Sequence, residues 1–173
     1  MRKSLEVVAL FALFLLFWIT YAALEGPNRL PDRIATHFDA AGNANGWGPP
    51  TVLWVLPVAA LGLYLLMSVV ARFPSAWNYP VRVTRENLDR LQSVALNMVA
   101  LLKTELVCFF ALLQWAIVHS ARSGHGRAFA LLVPVLLVVV FGTIGLSFMA
   151  MLRAARPQTG SEGSGSGSPG KLR

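Results

Sequence analysis

The sequence predicts an all-α integral membrane bundle of four transmembrane helices, with a long extracytoplasmic loop between helices 1 and 2. Three observations predict it. The chain of 173 residues is 55% hydrophobic and only 13% charged, whereas a soluble domain carries about 25% charged residues. Its apolar residues gather into blocks at 5–24, 52–71, 94–119 and 128–152, and about 20 apolar residues at 1.5 Å each cross a hydrocarbon core of ~30 Å. Its Lys and Arg residues fall mainly in alternate connections, as the positive-inside rule requires.

The first block, Leu5–Leu24, follows Met1-Arg2-Lys3. That start resembles a signal peptide, and Ala22-Ala23-Leu24-Glu25-Gly26 is a weak cleavage candidate. The apolar stretch exceeds a normal signal core and no A-x-A site follows, so a retained anchor is the expectation. In the second block Pro57 lies in the first helical turns, where a missing N–H is cheapest, and Pro134 is expected near the start of the fourth for the same reason.

The third block has a leader. Thr84-Arg85-Glu86-Asn87 reads as a helix start with Thr84 as N-cap, and no breaker follows until after His119. One helix over 85–119 would run roughly 50 Å, longer than the bilayer core. Its first turns carry Leu88, Leu91, Val94 and Ala95 on one face, an amphipathic stripe suited to the membrane surface. Residues 1–156 form one transmembrane domain. The remainder, 157–173, is Gly/Ser-rich and reads as a disordered cytoplasmic tail.

Orientation follows from the basic residues. Arg2, Lys3, Arg72, Arg82, Arg85, Arg90, Arg153, Arg156, Lys171 and Arg173 lie on one side, and only Arg29, Arg33, Arg122 and Arg127 on the other. Both termini are therefore expected in the cytoplasm of a multi-pass protein. The formal charge of +7 is explained by this pattern, and no basic stripe on a soluble face points to nucleic acid. Trp18, Tyr21, Trp54 and Trp115 sit near the outer ends of their spans, and Trp77 and Tyr79 in the inner loop, where amphipathic rings favour the headgroup level.

Polar residues inside the blocks are few. Lys103 and Glu105 are two apart and cannot pair along a helix. Both are expected near the cytoplasmic interface, with Lys103 snorkelling to the headgroups. Glu105 has no basic residue three or four away and needs water or a partner on another helix, as an interfacial carboxylate or as part of a proton or ion relay. Gln114 lies further along the same helix. His37, His119 and His125 share the outer side, but their spacing matches no metal motif. The Asp39 loop fails as a calcium site because its twelfth position is Pro50. Cys108 is the single cysteine and reads as a small hydrophobe. No nucleophile motif, phosphate loop or paired-Cys motif occurs, so no catalytic residue, metal or cofactor is assigned.

The loop at 25–51 is the most particular segment. Leu30-Pro31-Asp32-Arg33-Ile34 begins extended, because a residue before proline avoids the helical region. The Asn45-Gly46 pair and the repeated glycines suggest tight turns with positive φ. Ile34, Phe38 and Trp47 are expected to pack on one another or dip into the interface, making a folded cap. Phe38 would anchor it. His37 and Asp39 would face a ligand or cap a turn, or His37 would be hydrogen-bonded within the loop. A connection this long is functional or disordered more often than idle.

The stretch LPDRIATHFDAAGNANGWGPP resembles the signature of a bacterial integral membrane family, domain of unknown function 1648. That signature is approximately L-P-x-x-I-P-x-H-F-[ND]-x-x-G-x-x-[DN]-G-W-G-[SP]-[KP]. It is matched at Leu30, Pro31, Ile34, His37, Phe38, Asp39, Gly42, Asn45, Gly46, Trp47 and Gly48, and departed from at Ala35 and Pro49-Pro50. The resemblance covers about 13–66, and Asn78–Asn87 is also similar to uncharacterised members. The best-known relatives are SdpI-type immunity proteins, which protect a bacterium from a secreted toxin, can sequester a repressor and carry a further membrane domain. The resemblance implies an inner-membrane protein whose loop recognises a peptide, an envelope component or another membrane protein. The alternative is a small transporter or channel-like subunit using Lys103, Glu105 and Gln114.

Overall fold

The computed structural model describes residues 1–39, 43–123 and 128–156. Gly42, His125 and the Gly/Ser-rich tail lie outside the described residues, and of Phe38 only the backbone is described. The elements run α1 (Arg2–Leu24), β1 (Ile34–Phe38), β2 (Ala44–Gly48), a short 3-10 helix (Pro50–Trp54), α2 (Val55–Val70), a 3-10 turn (Pro74–Ala76), α3 (Leu88–Ser123) and α4 (Ala128–Ala155). Four helical segments are long and apolar enough to cross a membrane, and the chain is a multi-pass membrane protein by that measure.

The chain is mostly helical as expected, but the connection between α1 and α2 is not a plain loop. It is an antiparallel hairpin followed by the 3-10 helix. β1 enters the bundle at its start, with Ile34 and Ala35 buried and His37 exposed, while β2 carries small residues that let the strands approach. Each strand carries an irregularity, with Thr36 and Asn45 left out of the Cα pairing, as in β-bulges.

Interhelical contacts fix how the spans run. On α1 and α3 the contacting residues rise together: Leu5 meets Thr104, Glu6 meets Lys103, and Thr20 meets Gln114. The two helices are therefore parallel. On α2 the order inverts, with Leu53 just before it meeting Gln114 and Ser68 meeting Lys103. On α4 it inverts as well, with Thr143 meeting Glu105 and Met151 packing on Leu91 and Ala95. This is the up-down-up-down order that four consecutive spans require. α3 is the hub that the other three helices touch.

Small residues allow the close approach. Ala12, Ala60 and Ala111 are buried with Leu13, Leu16 and Val107. In lipid, where apolar surface alone does not drive helices together, such residues bring backbones into van der Waals contact.

α3 begins as its sequence suggests. The Thr84 N–H donates to Asn87 Oδ1 at 2.8 Å, and the Asn87 N–H donates to Thr84 Oγ1 at 3.3 Å. That reciprocal pair is a capping box with Asn in place of Glu or Gln. Trp77, Tyr79 and Val81 of the preceding connection pack on Leu91, Ala95 and Met151. Burial pushes the Tyr79 phenol above its ordinary pKa, and its hydroxyl donates to the Pro74 carbonyl at 2.9 Å.

Pro134 departs from expectation. α4 starts at Ala128, so Pro134 is an interior residue, past the first turn. Its ring is exposed on the outer face of the bundle. Helices in bilayers tolerate such prolines because local adjustments re-satisfy the freed backbone group.

Candidate functional site

The hairpin is seated on the bundle by its apolar residues. Leu30 and Ile34 are buried with Ala23 of α1, Leu53 of the 3-10 helix and Val118 of α3. Burying an isoleucine as completely as Ile34, at 1% exposure, contributes about 2 kcal/mol. The Leu30 N–H also donates to the Ala23 carbonyl at 2.8 Å, and Arg122 on α3 donates to the Asn28 carbonyl at 3.2 Å. Pro31 is exposed between these anchors.

Asp39 and Asn43 bond to each other at the end of the hairpin. The Asp39 N–H donates to the Asn43 carbonyl at 2.9 Å. In return Asp39 Oδ1 accepts the Asn43 N–H at 2.8 Å, and Oδ2 accepts from Asn43 Nδ2 at 3.2 Å. Asp39 is thus bonded to Asn43 through both its backbone and its carboxylate.

Gly46 is needed for a reason other than positive φ. It lies in β2 opposite His37, and a Cβ there would meet His37 Cβ and Nδ1 at 3.0 Å. The glycine leaves room for the imidazole, which also lies 3.2 Å from Thr36 Oγ1. Gly48 likewise leaves room for Thr36, whose methyl would be 3.2 Å from an added Cβ.

Trp47 does not take the first of the two arrangements expected for it, packing on Ile34. It pairs with Ala35, one step from Ile34, so the pleat turns it to the face opposite Ile34. It is 59% exposed and does not share Ile34's cluster. Asn45 is exposed beside it. The hairpin therefore has a seated face and an outward face, the latter led by an indole.

Behind the hairpin, α3 carries Gln114, which is fully buried. Its Nε2 donates to Thr20 Oγ1 at 2.7 Å and to the Leu53 carbonyl at 3.0 Å. Leu53 lies four residues before Pro57, which is itself buried. A proline has no N–H to give the carbonyl four residues back. The side chain of Gln114 satisfies the acceptor that Pro57 orphans, and so ties α3 to the start of α2 and to α1.

A second polar cluster lies at the opposite end of the α1–α3 contact. Lys103 Nζ donates to Glu6 Oε2 at 2.7 Å and to Ser68 Oγ at 3.1 Å, and sits 4.5 Å from the centroid of the Tyr64 ring. The Tyr64 hydroxyl donates to Glu6 Oε1. Lys103 does not snorkel. Its side chain is 7% exposed, because a carboxylate, a hydroxyl and an aromatic face meet it inside the bundle. Glu105 points elsewhere and accepts a hydrogen bond from Thr143 on α4. Lys103 and Gln114 thus both tie α3 to α1, at opposite ends of their contact, while Glu105 turns to α4.

Sequence reasoning missed Glu6, Tyr64, Ser68, Thr20 and Thr143. Glu6 left a signal, being an acid inside the first apolar block with a lysine at similar depth on another span. Among the described residues no group of three His, Cys, Asp or Glu side chains is placed to hold a metal.

Residues 8–61 match the family model described as Domain of unknown function (DUF1648). This segment of the chain is similar to that family. The match takes in most of α1, the hairpin, the 3-10 helix and the first turns of α2. It ends before Tyr64, so Lys103, Gln114 and Val118, which complete the packing of the DUF1648 segment, lie beyond it. No curated protein and no solved structure matches the chain.

Proposed function

We propose that this is a multi-pass protein of a bacterial inner membrane, with both termini in the cytoplasm, whose hairpin faces outward and recognises a peptide or another envelope partner. Its role would be that of an immunity or sensor protein. One observation carries this reading. The hairpin is seated through Leu30 and Ile34 and tied at its end by Asp39 and Asn43, yet it leaves the Trp47 indole 59% exposed. An indole on a fixed support suits recognition, since tryptophan is enriched among residues that dominate binding energy. The excess of Lys and Arg on the other side of the bundle supports the orientation. Transport finds less support, because Lys103 and Gln114 are engaged by side chains of α1 and Glu105 by a side chain of α4.

The test is a deletion strain challenged with secreted peptides of sibling strains. Sensitivity should rise on deletion and be restored by the wild-type gene. Trp47→Ala should reach normal membrane abundance and fail to restore resistance. Unchanged sensitivity on deletion, or full rescue by Trp47→Ala, would overturn the proposal. Reporter fusions after Pro49 and at Arg173 test the topology separately, and periplasmic activity at Arg173 would sink it.

A further inference from the structure

Two cavities lie end to end along the outer side of the α1–α3 contact, sharing Ile19 and Trp115. The larger, about 590 Å³, is lined by apolar side chains such as Val8, Phe11, Leu15 and Leu112, with Cys108 the one sulfur. The smaller, about 180 Å³, lies at the hairpin end and includes Trp18, His119 and Arg122. Val8, Phe11, Leu112 and Trp115 are each about half exposed, so the groove opens toward the surrounding membrane.

Its dimensions and charge select an occupant. From Val8 to Ile19 is roughly 16 Å along a helix, room for most of one extended acyl chain. Arg122 lies seven residues past Trp115 on α3, roughly 10 Å further toward the hairpin. No carboxylate lines this mouth among the described residues. The Trp115 and His119 rings stack there with centroids 5.3 Å apart. Among the described residues Arg122 donates to the Asn28 carbonyl, and a guanidinium has five N–H donors, in a fork suited to phosphate.

We infer that this groove seats one anionic phospholipid, its acyl chain along Val8 to Ile19 and its phosphate at Arg122. The seat is separate from the outward face of the hairpin and independent of what that face binds. A lipid held there would extend the contact that Arg122 makes with the base of the hairpin.

Native mass spectrometry of the full chain, delipidated in detergent and given equimolar phosphatidylglycerol and phosphatidylcholine, tests it. The wild type should retain one phosphatidylglycerol with about fivefold preference, the scale expected of a single basic residue near anionic lipid. Arg122→Gln should bring the two lipids to parity, and Arg122→Lys should keep the preference. Leu112→Trp fills the groove from an exposed position and should lower retention of both lipids at an unchanged melting temperature. Parity in the wild type, a preference that survives Arg122→Gln, or undiminished retention in Leu112→Trp would overturn the inference.

Discussion

α1 and α4 are both long, apolar helices packed on α3, yet α3 holds them differently. A third of the most apolar stretch of α1 is buried, against 6% of that of α4. α1 meets α3 through Glu6 and Lys103, through Thr104 and the Leu5 carbonyl, and through Thr20 and Gln114, with alanines between. α4 offers Thr143 to Glu105 and packs Met151 near the start of α3. Most of its large side chains, from Val133 to Leu152, face outward. The two helices have the same mean hydropathy, 2.5. Hydropathy says that each can enter a bilayer. The small and polar residues decide which neighbour it then holds, because lipid competes fully with apolar contacts and poorly with hydrogen bonds.

The sharpest way to break that comparison is to remove Glu6. Glu6→Leu leaves the Lys103 ammonium in the bundle without its carboxylate, at a cost of about 3 kcal/mol. A large fall in the melting temperature in detergent is expected. Adding Lys103→Met should recover most of it, since replacing both members of a buried pair is often near neutral. If the double variant is no better than Glu6→Leu alone, the pair does not hold α1.

Gln114 gives a finer test at the other end of the same contact. Gln114→Leu strands the Leu53 carbonyl, while the Thr20 hydroxyl keeps its bond to the Leu16 carbonyl, and should cost about 2 kcal/mol. Pro57→Ala supplies the backbone N–H that Leu53 lacks. In that background Gln114→Leu should cost about 1 kcal/mol less, a coupling within the usual range for residues sharing a partner. Strictly additive losses in the double-mutant cycle would remove the link between Pro57 and Gln114.

The smallest effect should come from α4. Thr143→Val removes one hydrogen bond to Glu105 and should cost under about 1 kcal/mol, near the average for interhelical bonds in membranes. Chemical denaturation in mixed micelles would measure it. A loss as large as that from Glu6→Leu would mean that α4 is held as firmly as α1, and the contrast between them would fail.

The hairpin illustrates how far local pattern reaches. Leu30, Ile34, Asp39 and Gly46 were recognisable as a patterned segment, and the expectation of a folded cap followed. The reason for Gly46 was not recognisable, because it lies in the imidazole across the strand pair rather than in its own φ. The face that Trp47 takes was not recognisable either, since only the pairing of Ala35 with Trp47 tells which side of the pleat it occupies.

By itself the sequence determined the four apolar spans, the long third helix with its Thr84 cap, and the segment that forms the hairpin. Those features depend on composition over about 20 residues or on hydrogen bonds within one turn, such as Thr84 with Asn87. Tertiary structure alone decided that Lys103 meets Glu6, 97 residues away, and that Gln114 serves the Leu53 carbonyl, 61 residues away. Those partners depend on how far each helix is turned about its axis and slid along its neighbour. Alanines, a proline and a hairpin from several parts of the chain set that rotation and offset jointly, and no single stretch of sequence records them.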